Sequence, residues 1–223
     1  MSSEDCRSLD DLWRIVNDTH TQFFPENKLM PIVGNGRIER PDYMFVFINP
    51  THRNISSNPL WKGPRFPFIG TKPVWRIFNR AGLFDDELMK QIEREPNWSL
   101  EFTEKVRSFL DSKSFYFTNI VKWTGADATL PDAQKVKLFL PILRREIEIV
   151  QPKTIVTFGL IPFTFLTQET IRLQDYYDKF VQSSKLAAYP LKVGNHQTSV
   201  VPCYFPVGRG DPKRAVEMLK AIK

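Results

Sequence analysis

The sequence predicts an α/β protein: a three-layer α/β/α sandwich built around a central, mostly parallel sheet of four strands. Three observations favour this fold class. Several apolar runs lack polar alternation, which is typical of strands buried on both faces. These runs alternate along the chain with helical patterns, as in sheets covered by helices on both sides. The length of 223 residues and the hydrophobic content of 42% suit one domain with a substantial core.

The N-terminal part of the chain begins with a predicted helix. Apolar residues recur at helical spacing in residues 8–22. The first convincing strand is YMFVFI, residues 43–48. Residues 51–72 are rich in Gly, Pro and polar side chains, so we expect a long loop there. Loops of this length inside a compact domain are uncommon and are often functional.

The middle of the chain alternates helices and strands. Pro73 and Gly82 are the start and stop signals of a helix over residues 73–81. A second helix is expected over residues 99–111. The β-branched and aromatic segment SFYFTNIV, residues 114–121, is a predicted strand.

The C-terminal part continues the same alternation. An apolar stripe with steps of three and four residues predicts a helix from Asp132 to Val150. The other expected elements are a strand over residues 153–159, a helical region over 160–182, a strand over 198–205 and, after the Asp211-Pro212 start signal, a helix over 212–222.

The four predicted strands deliver polar or glycine-containing segments to one edge of the sheet. Functional sites in open α/β sheets lie beyond the carboxyl ends of the strands. The segments that we expect to meet there are Asn49-Pro50, Asn119 with Lys122, Phe158-Gly159 and residues 205–210.

The charge balance is basic, with a formal net charge of +6 and a pI of about 9.3. Such a balance suits a polyanionic partner such as nucleic acid. A basic protein without such a partner is the alternative that composition leaves open.

Cysteine usage argues against several classes of site. Cys6 and Cys203 lie far apart and no Cys-x-x-Cys occurs, so neither a zinc ribbon nor an iron–sulfur cluster is expected. We predict no metal and no cofactor. The acidic, polar N-terminus does not resemble a signal peptide, and no apolar run approaches the ~18 residues of a membrane span. We therefore expect a protein of the cytoplasm, associated with the nucleoid, or of the nucleus, without a membrane partner.

Five segments together resemble the uracil-DNA glycosylase superfamily, in that family's order. FINP (47–50) is similar to the first motif of the mismatch-specific branch, and RFPFIG (65–70) to the segment that supplies a base-stacking phenylalanine. FTNIVKW (117–123) and PKTIVTFG (152–159) resemble strands of the thermostable branch, although its iron–sulfur cysteines are absent. VPCYFPVGRG (201–210) stands where the family has its last motif.

The resemblance implies a role for each polar or aromatic residue at the predicted site. Asn49 would position the attacking water, Phe68 would stack on the base, and Asn119 would pair with the polar edge of the base. Each residue has a structural alternative: Asn49 can cap the turn before Pro50, and Phe68 can be ordinary core. A buried, unpaired Asn119 would cost roughly 1–3 kcal/mol, so that side chain needs a partner.

Three positions near the predicted base site depart from the family pattern. Phe205 stands where the common motif has histidine, and Val207 where serine is usual. Phenylalanine cannot donate a proton to the leaving base. Thr51 stands where some branches place a bulky tyrosine, so a 5-methyl group on the base could be admitted.

The final loop and a set of cations are expected to meet DNA. Arg209, between Gly208 and Gly210, could enter a groove or fill the gap that a flipped base leaves. The other predicted phosphate contacts are Arg53, Lys62, Arg65 and Lys122, each of which could instead be an ordinary surface charge. His52, three residues after Asn49, could contact phosphate or the substrate. His20 and His196 are interpreted as structural.

We therefore expect residues 1–223 to form a single uracil-DNA glycosylase-like domain, with residues 1–40 as a helical extension packed on it. The expected activity is monofunctional hydrolysis of the N-glycosidic bond of uracil or a related deaminated base, since no lysine lies in the first motif. The expected partner is DNA, double-stranded with a lesion or single-stranded, bound by a monomer. A catalytically impaired DNA-binding protein and a nucleoside hydrolase on the same fold are the alternatives.

Overall fold

The computed structural model describes residues 6–95, 97–127, 129–208 and 210–222. Within these residues the chain forms a mixed α/β fold with one six-stranded sheet and eight α-helices. The strands are β1 (Asn35–Gly36), β2 (Tyr43–Phe47), β3 (Phe115–Asn119), β4 (Thr154–Phe158), β5 (Tyr189–Val193) and β6 (His196–Cys203). The helices are α1 (Leu9–Phe23), α2 (Pro73–Arg80), α3 (Asp86–Arg94), α4 (Leu100–Ser112), α5 (Ala133–Val150), α6 (Leu160–Thr167), α7 (Leu173–Ser183) and α8 (Pro212–Lys220).

The strand order is β1-β3-β2-β4-β6-β5. The four predicted strands form the parallel centre of the sheet, β3-β2-β4-β6. The predicted strand number of four is wrong, because β1 and β5 add antiparallel edges. Both edges are difficult to predict from sequence. Strand β1 has only two residues. Strand β5 contains Pro190, and a proline argues against assigning a segment as a strand. The tight turn between β5 and β6 contains Gly194 with a positive φ of 55°.

Helices cover both faces of the sheet. Helices α2, α3, α4 and α8 pack on one face, against Phe45 and Phe117, and α1, α5 and α6 pack on the other, against Met44 and Val46. The first face is a cluster of aromatic rings; for example, the Phe45 ring lies 4.9 Å from that of Phe78. Fully burying one such side chain contributes roughly 1.5–3 kcal/mol, so these rings dominate the stability of this layer.

Asp132 and Asp211 begin their helices as predicted, and Ser8, which was not singled out as a start signal, does the same for α1. The side chains of Ser8, Asp132 and Asp211 each accept a hydrogen bond from a backbone N–H of the first turn of α1, α5 and α8, respectively. The single helical region expected over 160–182 is instead two helices, because Gln168 takes a left-handed conformation (φ 63°) and ends α6. Helix α3 was not predicted. No described helix has the length and apolarity needed to cross a bilayer.

Candidate functional site

The chain segments that leave β2 and β3 continue side by side beyond the sheet. The N–H of Ile120 donates to the carbonyl of Phe47 at 2.9 Å, and that of Val121 donates to Ile48 at 2.9 Å. Further out, the N–H of Gly125 donates to Pro50 and that of His52 donates to Gly125, both at 2.9 Å. This ladder holds residues 48–52 against residues 120–125 at the carboxyl edge of the sheet.

Asn49 and Thr51 lie on this ladder. Asn49 is half-buried, and its Nδ2 donates to the carbonyl of Pro50 at 3.1 Å. A turn cap would instead use the side-chain oxygen as the acceptor of a backbone N–H. A Cβ on Gly125 would lie 3.4 Å from that nitrogen, so glycine lets the two segments approach closely. Thr51 is half-buried and forms an isolated β-bridge with Gly125.

Phe68 lies beside the end of β2 with an unusual backbone. Its φ is 72°, in the left-handed region that a bulky residue rarely occupies. Its carbonyl accepts from Thr71 N at 3.1 Å, Thr71 Oγ1 at 2.9 Å and Trp75 Nε1 at 3.0 Å, and these bonds hold the strained conformation in place. Its half-buried ring lies 4.6 Å from the Phe47 ring. Backbone strain of this kind is concentrated at functional sites.

Asn119 ends β3 directly opposite Phe47 in the parallel ladder. Its residue surface is 1% exposed. Neither its Oδ1 nor its Nδ2 has a hydrogen-bond partner among the described residues. Since alternate strand residues share a face, its side chain lies on the face of Phe115 and Phe117, toward the aromatic cluster that also includes Phe68. A buried carboxamide without partners is costly, and such a group in a native protein calls for an explanation, of which a ligand-binding role is one.

The long loop between β2 and α2 is organised by Asn54, which the sequence analysis did not single out. Asn54 is buried; its Nδ2 donates to the carbonyl of Phe66 at 2.7 Å, and its Oδ1 accepts from the N–H of Ser56 at 3.1 Å. The N–H of Ile55 donates to Ile69. These bonds tie the start of the loop to its end and thereby place Phe68 next to β2.

The final loop follows β6. Phe205 and Val207 are half-buried and pack against the same aromatic cluster as Phe68. Gly208 has a φ of 62° with open space around its Cα, whereas a Cβ on Gly210 would overlap the carbonyl of Phe205. The N–H of Gly210 donates to Val207 at 3.1 Å. Arg209 lies outside the described residues.

This arrangement collects Asn49, Phe68, Asn119 and Phe205 around the carboxyl ends of three parallel strands. A family model of the uracil DNA glycosylase superfamily matches residues 33–222. The chain belongs to the uracil-DNA glycosylase superfamily. A comparison with curated proteins finds no significant match.

Helix α1 precedes the part of the chain that the superfamily model matches, yet it packs on the same domain. Leu12 and Val16 are fully buried together with Phe139 and Leu143 of α5. His20 and His196 each place Nε2 near a backbone carbonyl, that of Asn27 at 3.3 Å and that of Pro152 at 2.9 Å, in line with their structural interpretation.

Lys122 was predicted to contact phosphate from the rim of this superfamily site, and that prediction is wrong. Its side chain is fully buried and forms an ion pair with Glu146, which is equally buried. The sequence analysis missed this pair because the two residues are far apart in the chain and Glu146 lies within an apolar helix stripe. Burial lowers the pKa of Lys122, while Glu146 acts in the opposite direction.

The remaining predicted phosphate-binding residues differ in exposure and in hydrogen bonding within the protein. His52, Arg53 and Lys62 are exposed, as a phosphate contact requires. Arg65 is half-buried, and its guanidinium donates to the carbonyls of Asn58 at 3.4 Å and Trp61 at 3.3 Å. Burial lowers the pKa of Arg65. Arg65 therefore holds its own loop together in this structure, a role that the sequence analysis did not assign to it.

No group of three or more His, Cys, Asp or Glu side chains with metal-binding geometry occurs in the described part of the chain. Cys6 and Cys203 are both buried and are not disulfide-bonded. Burial raises the pKa of the Cys203 thiol well above its usual range, so it is not a ready nucleophile.

Proposed function

We propose that this protein is a monofunctional DNA glycosylase that hydrolyses the N-glycosidic bond of uracil or a related deaminated base. The observation that carries the proposal is the Asn119 carboxamide: it is buried, it has no partner among the described residues, and it lies in an aromatic corner at the strand edge. A carboxamide offers one donor group and one acceptor on a single plane. That pattern complements the N3–H and O4 of uracil.

Recognition requires the nucleotide to leave the duplex and enter the site. Phe68, with its ring half-exposed and its backbone locked, would stack on the face of the extruded base, a contact worth roughly 1–3 kcal/mol. Exposed Arg53, Lys62 and His52 would contact the phosphates on either side. Thr51, half-buried at the same edge, leaves more room beside the base than a tyrosine would.

Bond cleavage requires a water molecule placed against a sugar that becomes cation-like. Asn49 would orient this water by hydrogen bonding, since an amide is too weak a base to deprotonate it. Lysine attack through a Schiff base is disfavoured, because Lys122 is buried in its ion pair with Glu146. Water attack makes the enzyme monofunctional.

Stabilisation of the departing base is the weakest part of the site. Phe205 supplies no proton, and one missing donor at a developing anion costs about 10²–10³ in rate. The N–H of Gly210 already donates to Val207, so it offers no free donor in this loop conformation. We therefore expect slow turnover, and faster release of bases that leave easily as anions.

The test is a base-release screen on oligonucleotides that carry one uracil, hypoxanthine or thymine opposite guanine, followed by alkaline scission of abasic strands. The proposal predicts release of at least one base by the wild-type protein. Asn49→Ala should lower the single-turnover rate about 10²-fold without changing DNA affinity. Asn195→Ala, an exposed asparagine in the β5–β6 turn, is the matched control and should leave the rate unchanged.

A second candidate function is DNA binding without base release, and Phe205 and Val207 are the observations that favour it. This alternative predicts no scission on any substrate, together with salt-sensitive DNA binding that weakens when Arg53 or Lys62 is replaced. Release of any base by the wild-type protein, lost in Asn49→Ala, would eliminate it.

A further inference from the structure

A fully buried ammonium group lies directly behind Asn119. The three N–H donors of a lysine are matched here by three acceptors: Nζ of Lys122 donates to the Asn119 carbonyl at 2.7 Å, to Thr118 Oγ1 and to a carboxylate oxygen of Glu146. None of these contacts serves the base-binding side chain of Asn119 directly. The contact to the Asn119 carbonyl acts on the peptide group that follows its Cα.

The carboxylate of Glu146 is itself held from several sides. The hydroxyl of Tyr116 donates to it at 2.8 Å and that of Thr118 at 3.0 Å. A Cβ on Gly34 would overlap this carboxylate, so the backbone entering β1 passes closely over it. On the other side, the ring of Trp13 lies 5.9 Å from the ammonium. The ion pair is thus closed off from solvent within a rigid environment.

The ion pair and the Asn119 side chain lie on opposite faces of the sheet. Tyr116 and Thr118 point toward the ion pair, and the alternate residues Phe117 and Asn119 point toward the aromatic cluster. The ammonium therefore contacts the backbone of Asn119 from the face of the sheet opposite to the Asn119 side chain. Fixing that peptide plane fixes the Cα–Cβ direction of the residue that would face the base.

Stability alone does not explain a buried pair of this kind. Replacing a buried ion pair by uncharged residues of similar volume is often neutral or stabilising, because desolvation offsets the attraction of the charges. A displacement of about 1 Å at a reacting site can cost 10²-fold in rate. Geometric control of Asn119 would be a gain that offsets the desolvation of the pair.

We propose that Lys122, held by Glu146, is a positioning residue that orients Asn119 for base recognition. The inference rests on the proposed function only for the role of Asn119 at the base. It predicts that removing the ammonium harms recognition of the base while DNA binding through phosphates persists.

The test compares Lys122→Met/Glu146→Gln with Tyr116→Phe. In the first variant the uncharged glutamine retains an acceptor for Tyr116 and Thr118. The ion pair is lost, and with it the three hydrogen bonds of the ammonium to Asn119, Thr118 and Glu146. In the control, Tyr116→Phe removes one hydrogen bond to Glu146 and leaves the Lys122–Asn119 contact in place. Thermal unfolding of both variants checks that they are folded.

Two readouts are measured. The first is single-turnover uracil release, in the wild-type and Asn119→Ala backgrounds. The second needs no catalysis: it is the ratio of affinities for an oligonucleotide with hydrolysis-resistant 2′-fluoro-deoxyuridine and one with a tetrahydrofuran abasic analogue. We expect Lys122→Met/Glu146→Gln to lower the rate and the affinity ratio on the order of 10-fold, and Tyr116→Phe to change each less than 2-fold. In the Asn119→Ala background the same double change should have no further effect.

The outcomes separate this inference from the proposed function. A wild-type protein that releases no base, yet loses its affinity ratio in Lys122→Met/Glu146→Gln, would overturn the catalytic proposal and support positioning. An active wild type whose folded double variant keeps both readouts would overturn positioning alone. An equal loss in the wild-type and Asn119→Ala backgrounds would also overturn it, because the effect would not pass through Asn119.

Discussion

Phe47 and Asn119 are paired across the central parallel strands β2 and β3, with both side chains on the same face of the sheet. The Phe47 ring contacts Phe158 at 4.5 Å on one side and Phe68 at 4.6 Å on the other. One carboxamide thus lies in a corner made of aromatic rings. Such surroundings strengthen a hydrogen bond to a bound ligand and penalise the group when it is unpaired.

The first prediction concerns the energetic cost of this carboxamide. Asn119→Leu should raise the free energy of unfolding by about 1 kcal/mol, because it removes a buried polar group that has no hydrogen-bond partner among the described residues. The same change should lower uracil release by at least about 10²-fold. Urea unfolding and single-turnover assays on one preparation measure both effects.

Thr157→Val is the matched control for Asn119→Leu. The Oγ1 of Thr157 is also buried without a hydrogen-bond partner among the described residues, but it lies on the opposite face of the sheet, beside Ile155. This change should stabilise the protein to a similar extent and leave base release intact. If Asn119→Leu destabilises the protein while Thr157→Val stabilises it, the unpaired state of Asn119 is refuted.

Local patterns were sufficient to predict the parallel strands, because strand β-propensity and apolar runs are properties of neighbouring residues. Strands β2, β3 and β4 fall within the predicted segments, and β6 begins and ends two residues earlier than predicted. The ends of β2 and β3 bring Asn49 and Asn119 to one edge. The antiparallel edges could not be predicted in this way. A two-residue strand such as β1 exists only through its pairing with β3.

The assignments that failed depend on contacts between distant residues. Lys122 is a charged residue that follows a strand, which by itself is typical of a surface position; its burial depends on Glu146, 24 residues away. The left-handed backbone of Phe68, about which the sequence analysis made no prediction, is likewise held by a hydrogen bond, from Trp75 in helix α2. Sequence spacing contains no signal for either contact.

The second prediction separates the two glycines of the final loop. Gly210→Ala should destabilise the protein by more than 1 kcal/mol and weaken DNA binding, because a Cβ there would overlap the Phe205 carbonyl and displace the loop. Gly208→Ala meets open space, so it should destabilise the protein less than Gly210→Ala does, by no more than about 1 kcal/mol for its positive φ. Thermal unfolding and DNA titration measure the pair. Equal effects of both changes on DNA affinity would contradict the idea that the close approach of Gly210 to Phe205 fixes the conformation of the loop.

The third prediction concerns pH and His20. Burial lowers the pKa of His20 below its usual 6.5, and a weaker hydrogen-bond effect of Asn27 opposes this. The unfolded chain then binds a proton more readily than the folded protein, so stability is present above pH 6.5 and is lost as pH falls through the folded pKa. Urea unfolding at pH 7.5 and 5.5 should show a smaller decrease in the free energy of unfolding for His20→Gln than for the wild type. His52→Gln, at an exposed histidine, should retain the wild-type loss. If His20→Gln loses as much stability between pH 7.5 and pH 5.5 as the wild type does, groups other than His20 cause the decrease.

The last prediction restores a proton donor at the final loop. Phe205 is half-buried against the aromatic cluster of Phe68. The resemblance of residues 201–210 to the last motif of the superfamily implies a histidine at this position. Phe205→His should raise the single-turnover rate of uracil release, by up to about 10²-fold, because the imidazole can donate to the departing base. It should also lower the melting temperature, since a polar ring replaces an apolar one in a packed position. Phe205→Leu is the control: it keeps an apolar side chain without a donor and should not raise the rate. Equal rates for the two variants would mean that position 205 does not face the leaving base, and slow turnover would then need a cause elsewhere in the site.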